Sequence, residues 1–418
     1  MSNDHRLSAI IWLLPCLPII GCIDRSADPA LYRAMLNRPA VSTQPALGAN
    51  DALSLIHALE LANADNESIA SRGEDYIQAL ADKMRQAGTF LPTISLGPIY
   101  NLTHISSGSV FVPSGSGSSV EIGGQGSVQH QLTVPVNASI SGSMANASNL
   151  QAASLTIEQR AQLLLDERET ILLDVVQSYY SALKAERQAA LYESTVGLKA
   201  EKVRDQETRL RLGAVRPLDE AQSQADLASV RVSLTQARTD AANARSALAR
   251  LMGVTTVAGP LTDAFDIPTV IQPLETWQED AQAQRPDLVA AHKAREASAA
   301  KVEAAIREYF PTASINFGYL LYNDPKSSQL WNSAISASFP IFSAMAIEAD
   351  IRSAWSLYRQ AGLTESQIRR QVIDDINQGC ANFQGSRRKI ADLEIQVAAA
   401  QKAYDLAERA YQLGSESN

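Results

Sequence analysis

Phe90-Leu91-Pro92-Thr93-Ile94-Ser95 returns later in the chain as Tyr309-Phe310-Pro311-Thr312-Ala313-Ser314. Val134-Pro135-Val136 returns as Phe339-Pro340-Ile341, and Arg209-Leu210-Arg211-Leu212-Gly213 returns, more loosely, as Ala410-Tyr411-Gln412-Leu413-Gly414. The copies stand 219, 205 and 201 residues apart, so the parts keep their order and only the linkers change length. A tandem duplication of strand, loop, strand and very long helix decides the architecture: a mainly α chain with a β portion.

The strand pairs alternate. Around Phe90 to Tyr100, apolar Ile94 and Leu96 stand against Thr93 and Ser95, and a return strand runs from about His130 to Ile140. Residues 101–129, with Ser114-Gly115-Ser116-Gly117 and Gly123-Gly124-Gln125-Gly126, read as a flexible loop, and those glycines are wrongly spaced for a nucleotide loop. The second pair is expected near Thr312 to Leu321 and Ser333 to Phe342. Strands of about ten residues, apolar on alternate positions, suit a barrel with a wet lumen and a lipid-facing exterior. A soluble hairpin is the plainer reading of either pair taken alone.

The helices are long. From Asn149 to Leu212 there is no proline, and Val175, Ala182, Ala189 and Val196 repeat every seven residues. At 1.5 Å per residue that run of 64 residues is roughly 96 Å long. Beyond Gly213, Leu227, Val230, Leu234, Ala237, Ala241, Ala244, Leu248 and Leu251 occupy successive coiled-coil positions until Gly253. A second long helix is expected from Ala344 to Leu413, with Ile390, Leu393, Val397, Ala400, Tyr404, Ala407 and Tyr411 on one seam.

The resulting plan has a first repeat over residues 51–253, a Pro-containing equatorial linker over 254–285 and a second repeat over 286–418. Asp51 is placed to cap the first helix, and Asn63-Ala64-Asp65-Asn66 to interrupt it. Gly414 marks a second turn, and the sequence stops at Asn418, before the returning helix that the repeat calls for.

Composition narrows the function. The net charge of −9 argues against a nucleic-acid partner, and 45% apolar with only 6% aromatic residues suits closely packed helices better than a thick core. His5 and Arg6 precede an apolar run from Leu7 to Ile20, too short to span a bilayer, which ends in Ile19-Ile20-Gly21-Cys22. Residues 1–21 read as a lipoprotein signal peptide, Cys22 as the acylated thiol and residues 22–50 as a lipid-anchored tether; the plainer alternative is an ordinary signal peptide that happens to contain a cysteine. With Cys16 cleaved and Cys22 acylated, Cys380 is the remaining thiol, so no intrachain disulfide is expected. No later stretch is apolar enough for a membrane helix, so entry into a bilayer requires a closed barrel.

Catalytic chemistry is not expected. The histidines (His5, His57, His104, His130 and His292) are scattered, without carboxylates or cysteines at metal-ligand spacing, and His57 and His292 read as packing or exposed residues. Asp374 and Asp375 point about 100° apart on a helix, as an exposed face would place them. No cofactor or metal is called for. The chemistry-bearing spot is instead the turn at Arg209, Arg211, Leu212, Gly213, Ala214, Val215, Leu218 and Asp219, where Gly213 allows positive φ and Pro217 suits a first helical turn.

The duplicated strand-Pro pairs, the Arg-x-Arg-x-Gly turn with its Ala/Leu heptad ending in Leu251-Met252-Gly253, the Arg285-Pro286-Asp287-Leu288 opening and the lipobox resemble the outer-membrane factor (TolC-like) family of efflux proteins. The match covers residues 50 to 418. The resemblance implies a homotrimer in which each protomer gives four strands to one twelve-stranded outer-membrane barrel, continued by a helical tunnel across the periplasm. It also implies docking to a periplasmic adaptor and an inner-membrane pump. Arg209 to Asp219 and Leu413, Gly414 and Ser415 would then be adaptor-contact and gate-region residues. Family members often carry an acidic ring a few residues past the second turn glycine; here Glu416 alone is acidic after Gly414. A different class of reading is a lipid-anchored periplasmic coiled-coil scaffold that encloses no pore. The paired strands discriminate, because a scaffold has no need of them.

Overall fold

Proline-free stretches rich in Ala, Leu, Gln, Glu and Arg have strong helical propensity, and they form the bulk of the molecule. A computed structural model describes residues 28–36, 52–105, 110–113, 119–122, 127–263, 272–324 and 331–412. Among the described residues, the helices are α1 (Asp28–Met35), α2 (Leu55–Asp65), α3 (Glu67–Gly88), α4 (Met144–Arg211), α5 (Pro217–Leu251), α6 (Leu274–Gln284), α7 (Pro286–Arg307) and α8 (Ala346–Gln412). The strands are β1 (Thr93–Leu96), β2 (Ile99–Ile105), β3 (Val110–Pro113), β4 (Ser119–Ile122), β5 (Ser127–Gly142), β6 (Thr312–Asp324) and β7 (Trp331–Ser338). No described helix is long and apolar enough to cross a membrane. The chain divides into two compact units, one drawn from Met1–Gln78, Arg160–Ala290 and Gln367–Asn418, the other from Ala79–Gln159 and Ala291–Ser366.

The first unit has a continuous apolar core. Leu53, Ala58, Leu61, Ile69, Leu164, Val175, Tyr179, Leu248 and Met252 are buried together. Tyr179 organises it: its hydroxyl donates to the Leu53 carbonyl at 2.7 Å, lies 2.7 Å from the Thr262 carbonyl and accepts the Thr262 amide at 3.0 Å. Leu53 bridges Leu261 in parallel, so this phenol sits where two distant segments meet. Arg245 fastens the following turn through Glu186 and the carbonyls of Val257 and Gly259. The coiled-coil seam holds: Leu227, Ala237 and Leu248 are buried, and the other five expected positions are half-buried. The matching seam on α8 differs, with Ile390, Leu393, Val397 and Tyr404 all exposed.

Several expectations are corrected here. Part of the expected tether is folded, because α1 buries Tyr32 and Leu36, and a Cβ on Gly73 would stand 2.6 Å from the Tyr32 ring. The first-helix cap is Ser54, whose hydroxyl accepts the His57 amide, rather than Asp51, which lies outside the described residues. Asn66 does more than interrupt a helix. Its side-chain oxygen caps α3 by accepting the amides of Ser68 and Ile69, while its NH2 donates to the Leu251 carbonyl at 2.8 Å. The equatorial linker contains α6.

In the second unit β1, β5, β6 and β7 form one antiparallel sheet in that order, with β2 beside β1 on the same partner. The repeats therefore meet at β5 and β6, paired from Leu132↔Asp324 to Gly142↔Ala313 around an irregularity at Val134/Pro135. The first expected strand is split at Gly97-Pro98, where proline has no amide to give the ladder, yet β1 and β2 keep one register on β5. The expected loop at 101–129 contains the end of β2, all of the β3–β4 ribbon and the start of β5, since Val110-Phe111-Val112 and Val120 to Ile122 favour extended backbone over the glycines around them. The last strand stops at Ser338, short of the expected Phe342, because Pro340 cannot continue a ladder.

Candidate functional site

Strand parity sorts the sheet into two chemistries. On one face the register sets Leu96 beside Val136, Tyr319 and Trp331 in one row, Ile94 beside Ala138, Phe317 and Ser333 in the next, and Ile140 beside Ile315 and Ile335 in a third, with Ser333 the one polar member. On the other face Ser95, Asn137, Gly318 and Asn332 make a row, followed by Thr93, Ser139, Asn316 and Ala334, then Ser141, Ser314 and Ser336. The polar face is bonded across strands, Thr93 hydroxyl to Ser139 hydroxyl at 2.8 Å and Ser314 to Ser336 at 2.7 Å. On the apolar face Phe317 and Trp331 stack with centroids 6.5 Å apart. The apolar side chains stay exposed within the single chain: Ile94, Ile315, Phe317 and Ile335 have no core to enter. Such a surface marks a contact with membrane or protein, and such edges are open to strand partners.

The turn between α4 and α5 brings the sequence-named residues together. Gly213, at φ 71°, donates its amide to the Leu210 carbonyl at 2.9 Å, and Ala214 donates to Arg209 at 2.8 Å. This paired cap satisfies carbonyls that the helix end would otherwise leave bare. Pro217 opens the next helix, and the Asp219 carboxylate accepts from the Arg216 amide at 3.3 Å and from its guanidinium at 3.2 Å. The Arg216 guanidinium, then its backbone amide, holds the Asp219 carboxyl below the usual carboxylate range. Arg216 falls within the expected Arg209–Asp219 span but was not singled out, although its place three residues before Asp219 is the spacing of a cap. Around this frame Leu212 is 77% and Leu218 65% exposed, and a Cβ on Gly213 would meet nothing within 4 Å. Arg209 pairs with Asp205 at 2.9 Å, and Arg211 leans back on Glu207 and Thr208. Leu413, Gly414 and Ser415, like Cys22, lie outside the described residues.

Other charged residues have structural partners. Arg285, from the Arg-Pro-Asp-Leu opening, bonds both Asp287 and Asp375 at 3.0 Å, so Asp375, on an exposed helix face as expected, also serves as a tie. Nearby Asp166 has its carboxyl pushed up by burial and then by Asp287, against the pull of Arg285. His292 sits between Glu296 at 3.3 Å and Glu365 at 3.5 Å, with Arg295 closing on Glu365 at 3.1 Å. Among the described residues no His, Cys, Asp and Glu group could hold a metal ion.

A protein-family model described as "Outer membrane efflux protein" matches residues 59–254 and 277–418. Among solved structures, one of CusC, concerned with folding and transmembrane channel formation, superposes with a TM-score of 0.72 at 18% identity, covering 91% of this chain and 89% of that one. A membrane protein of Pseudomonas aeruginosa gives 0.72 at 19% identity, over 91% and 90%. The outer membrane protein VceC of Vibrio cholerae gives 0.70 at 18%, over 87% of each chain. No curated protein sequence matches.

Proposed function

The chain belongs to the outer membrane efflux protein family, and from that membership we propose that it is the outer-membrane channel of a tripartite efflux or secretion system. The observation that carries this is the two-faced sheet with free edges. Four strand positions cannot close on themselves, since about eight strands are the fewest seen in a membrane barrel. Three copies joined β7 to β1 would give twelve strands, leave no backbone unpaired in lipid and turn every Ser, Thr and Asn row inward. The apolar rows then face acyl chains. The conduit is passive: it makes and breaks no bond, and energy comes from an inner-membrane pump. Acylation at Cys22 anchors the protein in the outer membrane, with the helical part extending into the periplasm.

In this reading the Arg209–Asp219 turn, with Leu413, Gly414 and Ser415, docks the periplasmic adaptor. Leu212 and Leu218 are the apolar contacts and Gly213 permits close approach. A photo-crosslinking residue at Leu212 or Leu218 tests it in cells that carry the cognate adaptor and pump. An adduct with the adaptor is expected at both positions and none at exposed Val232 on α5. Absence of adducts in cells that still expel a fluorescent substrate would remove the docking role.

A further inference from the structure

Helix α6 lies outside both repeats, and nothing covers it: none of its residues is buried, and Trp277 is 46% exposed. Two polar bonds hold it to α8 inside the first unit. The Gln278 side-chain amide donates to the Asn377 side-chain oxygen at 3.0 Å, and the Arg285 guanidinium donates to Asp375 at 3.0 Å. Between the two helices lies a cleft of about 480 Å³. Its α6 wall is Trp277, Asp280 and Gln284, one helical face at spacings of three and four. Its α8 wall is Ile376 and Cys380, one turn apart, and Gly379 beside them has no side chain to fill the space. Glu169 of α4 joins the lining.

The cleft is electronegative. Among the described residues that line it Arg285 is the one cation, and its guanidinium is engaged by Asp287 as well as Asp375. No ion pair among the described residues occupies Glu169 or Asp280. The neighbouring Asp166 carboxyl registers the same excess of negative charge: burial raises it first, then Asp287, and Glu169 adds to the rise against the pull of Arg285. A positive group is therefore favoured. The exposed indole narrows the class, because a ring face attracts a weakly hydrated cation most strongly. The remaining wall, Ala281, Pro286 and Ile376, is apolar and suits a hydrocarbon body. A volume of this size is ordinary for a small organic ligand.

We propose that this cleft binds a small organic cation, a quaternary ammonium carried on an aromatic or aliphatic body. The charged head sits between the Trp277 ring and the carboxylates of Asp280 and Glu169, and the body lies along Ile376 and Cys380. A primary ammonium is the poorer ligand, since its N–H donors hold water that the apolar wall cannot replace. The tandem plan does not supply the site, because α6 belongs to the linker between the repeats. Binding there requires no pore, so it stands apart from the channel reading.

Cys380 supplies the readout. In the purified full-length protein, alkylation of the Cys380 peptide by N-ethylmaleimide is followed by mass spectrometry, with benzyltrimethylammonium as the probe and benzyl alcohol as its neutral counterpart. The expected result is saturable slowing by the cation and none by the alcohol at the same concentration. Glu169 and Asp280 are exposed, so the fold should survive their neutralisation. A Glu169→Gln, Asp280→Asn double variant, compared with itself without probe, should bind the cation about tenfold more weakly, as should Trp277→Leu. Equal protection by the alcohol, or protection that the double variant keeps in full, would overturn the site. Titration calorimetry decides independently of access to the thiol. Saturable heat that the double variant loses supports the site, and no saturable heat overturns it.

Discussion

At Gly213 and again at Gly253 a long helix ends with φ near +70° (71° and 70°) and two amides folded back on its last carbonyls. The Gly213 pair is Gly213 to Leu210 and Ala214 to Arg209; the Gly253 pair is Gly253 to Arg250 and Val254 to Ala249. Their surroundings differ. A side chain at Gly213 would reach open space, whereas one at Gly253 would stand 2.5 Å from the Asp65 carbonyl, against the α2–α3 corner that Asn66 ties to Leu251. One turn closes a core; the other, with Leu212 and Leu218 exposed, is built to the same local standard and left uncovered. Local cap chemistry explains both turns, and only packing tells them apart. The uncovered turn is therefore where a partner is sought.

Substitution should separate them. Gly253→Val combines left-handed strain with a clash against backbone and should cost about 4 kcal/mol, read as a lower midpoint in urea unfolding followed by circular dichroism. Tyr179→Phe removes the hydroxyl that serves Leu53 and Thr262 in the same core and should cost about 1–3 kcal/mol in the same assay. Gly213→Val meets only the φ penalty, about 1–2 kcal/mol, but should abolish export while membrane insertion persists. Normal export by that variant would erase the functional half of the comparison.

The smallest effect concerns acid. Because the folded-state Asp219 carboxyl is depressed by Arg216, its contribution is fully present above the ordinary carboxylate pKa and is lost as pH falls through the lower folded value. Protection factors for hydrogen exchange in the first α5 turn, each taken against the intrinsic rate at that pH, should be unchanged from pH 8 to 5 and should fall in stronger acid, with Asp219→Asn showing the lower protection throughout.

The sequence made the turns and strand faces readable because each depends on neighbours close in the chain. Gly213 with Pro217, and Ile94 with Leu96 against Thr93 with Ser95, carry their geometry in spacing alone. Asn66 does break the helix as its polar stretch implies, but its tie to the Leu251 carbonyl, 185 residues away, leaves no local signal. Tyr179 carries no local signal of its role, since Leu53 and Thr262 meet it only after folding. The early end of β7 could have been read from Pro340, but alternation at Phe339 and Ile341 resembled more strand. Exposure of the α8 seam, beside the half-buried seam of α5, depends on what packs there rather than on heptad spacing.

The most direct test of the central claim is conductance across a planar lipid bilayer after adding the purified full-length protein. If three sheets close around a polar lumen, current should rise in discrete steps of uniform size. Stable insertion with no step at any applied voltage would contradict the account and leave a lipid-anchored scaffold in its place.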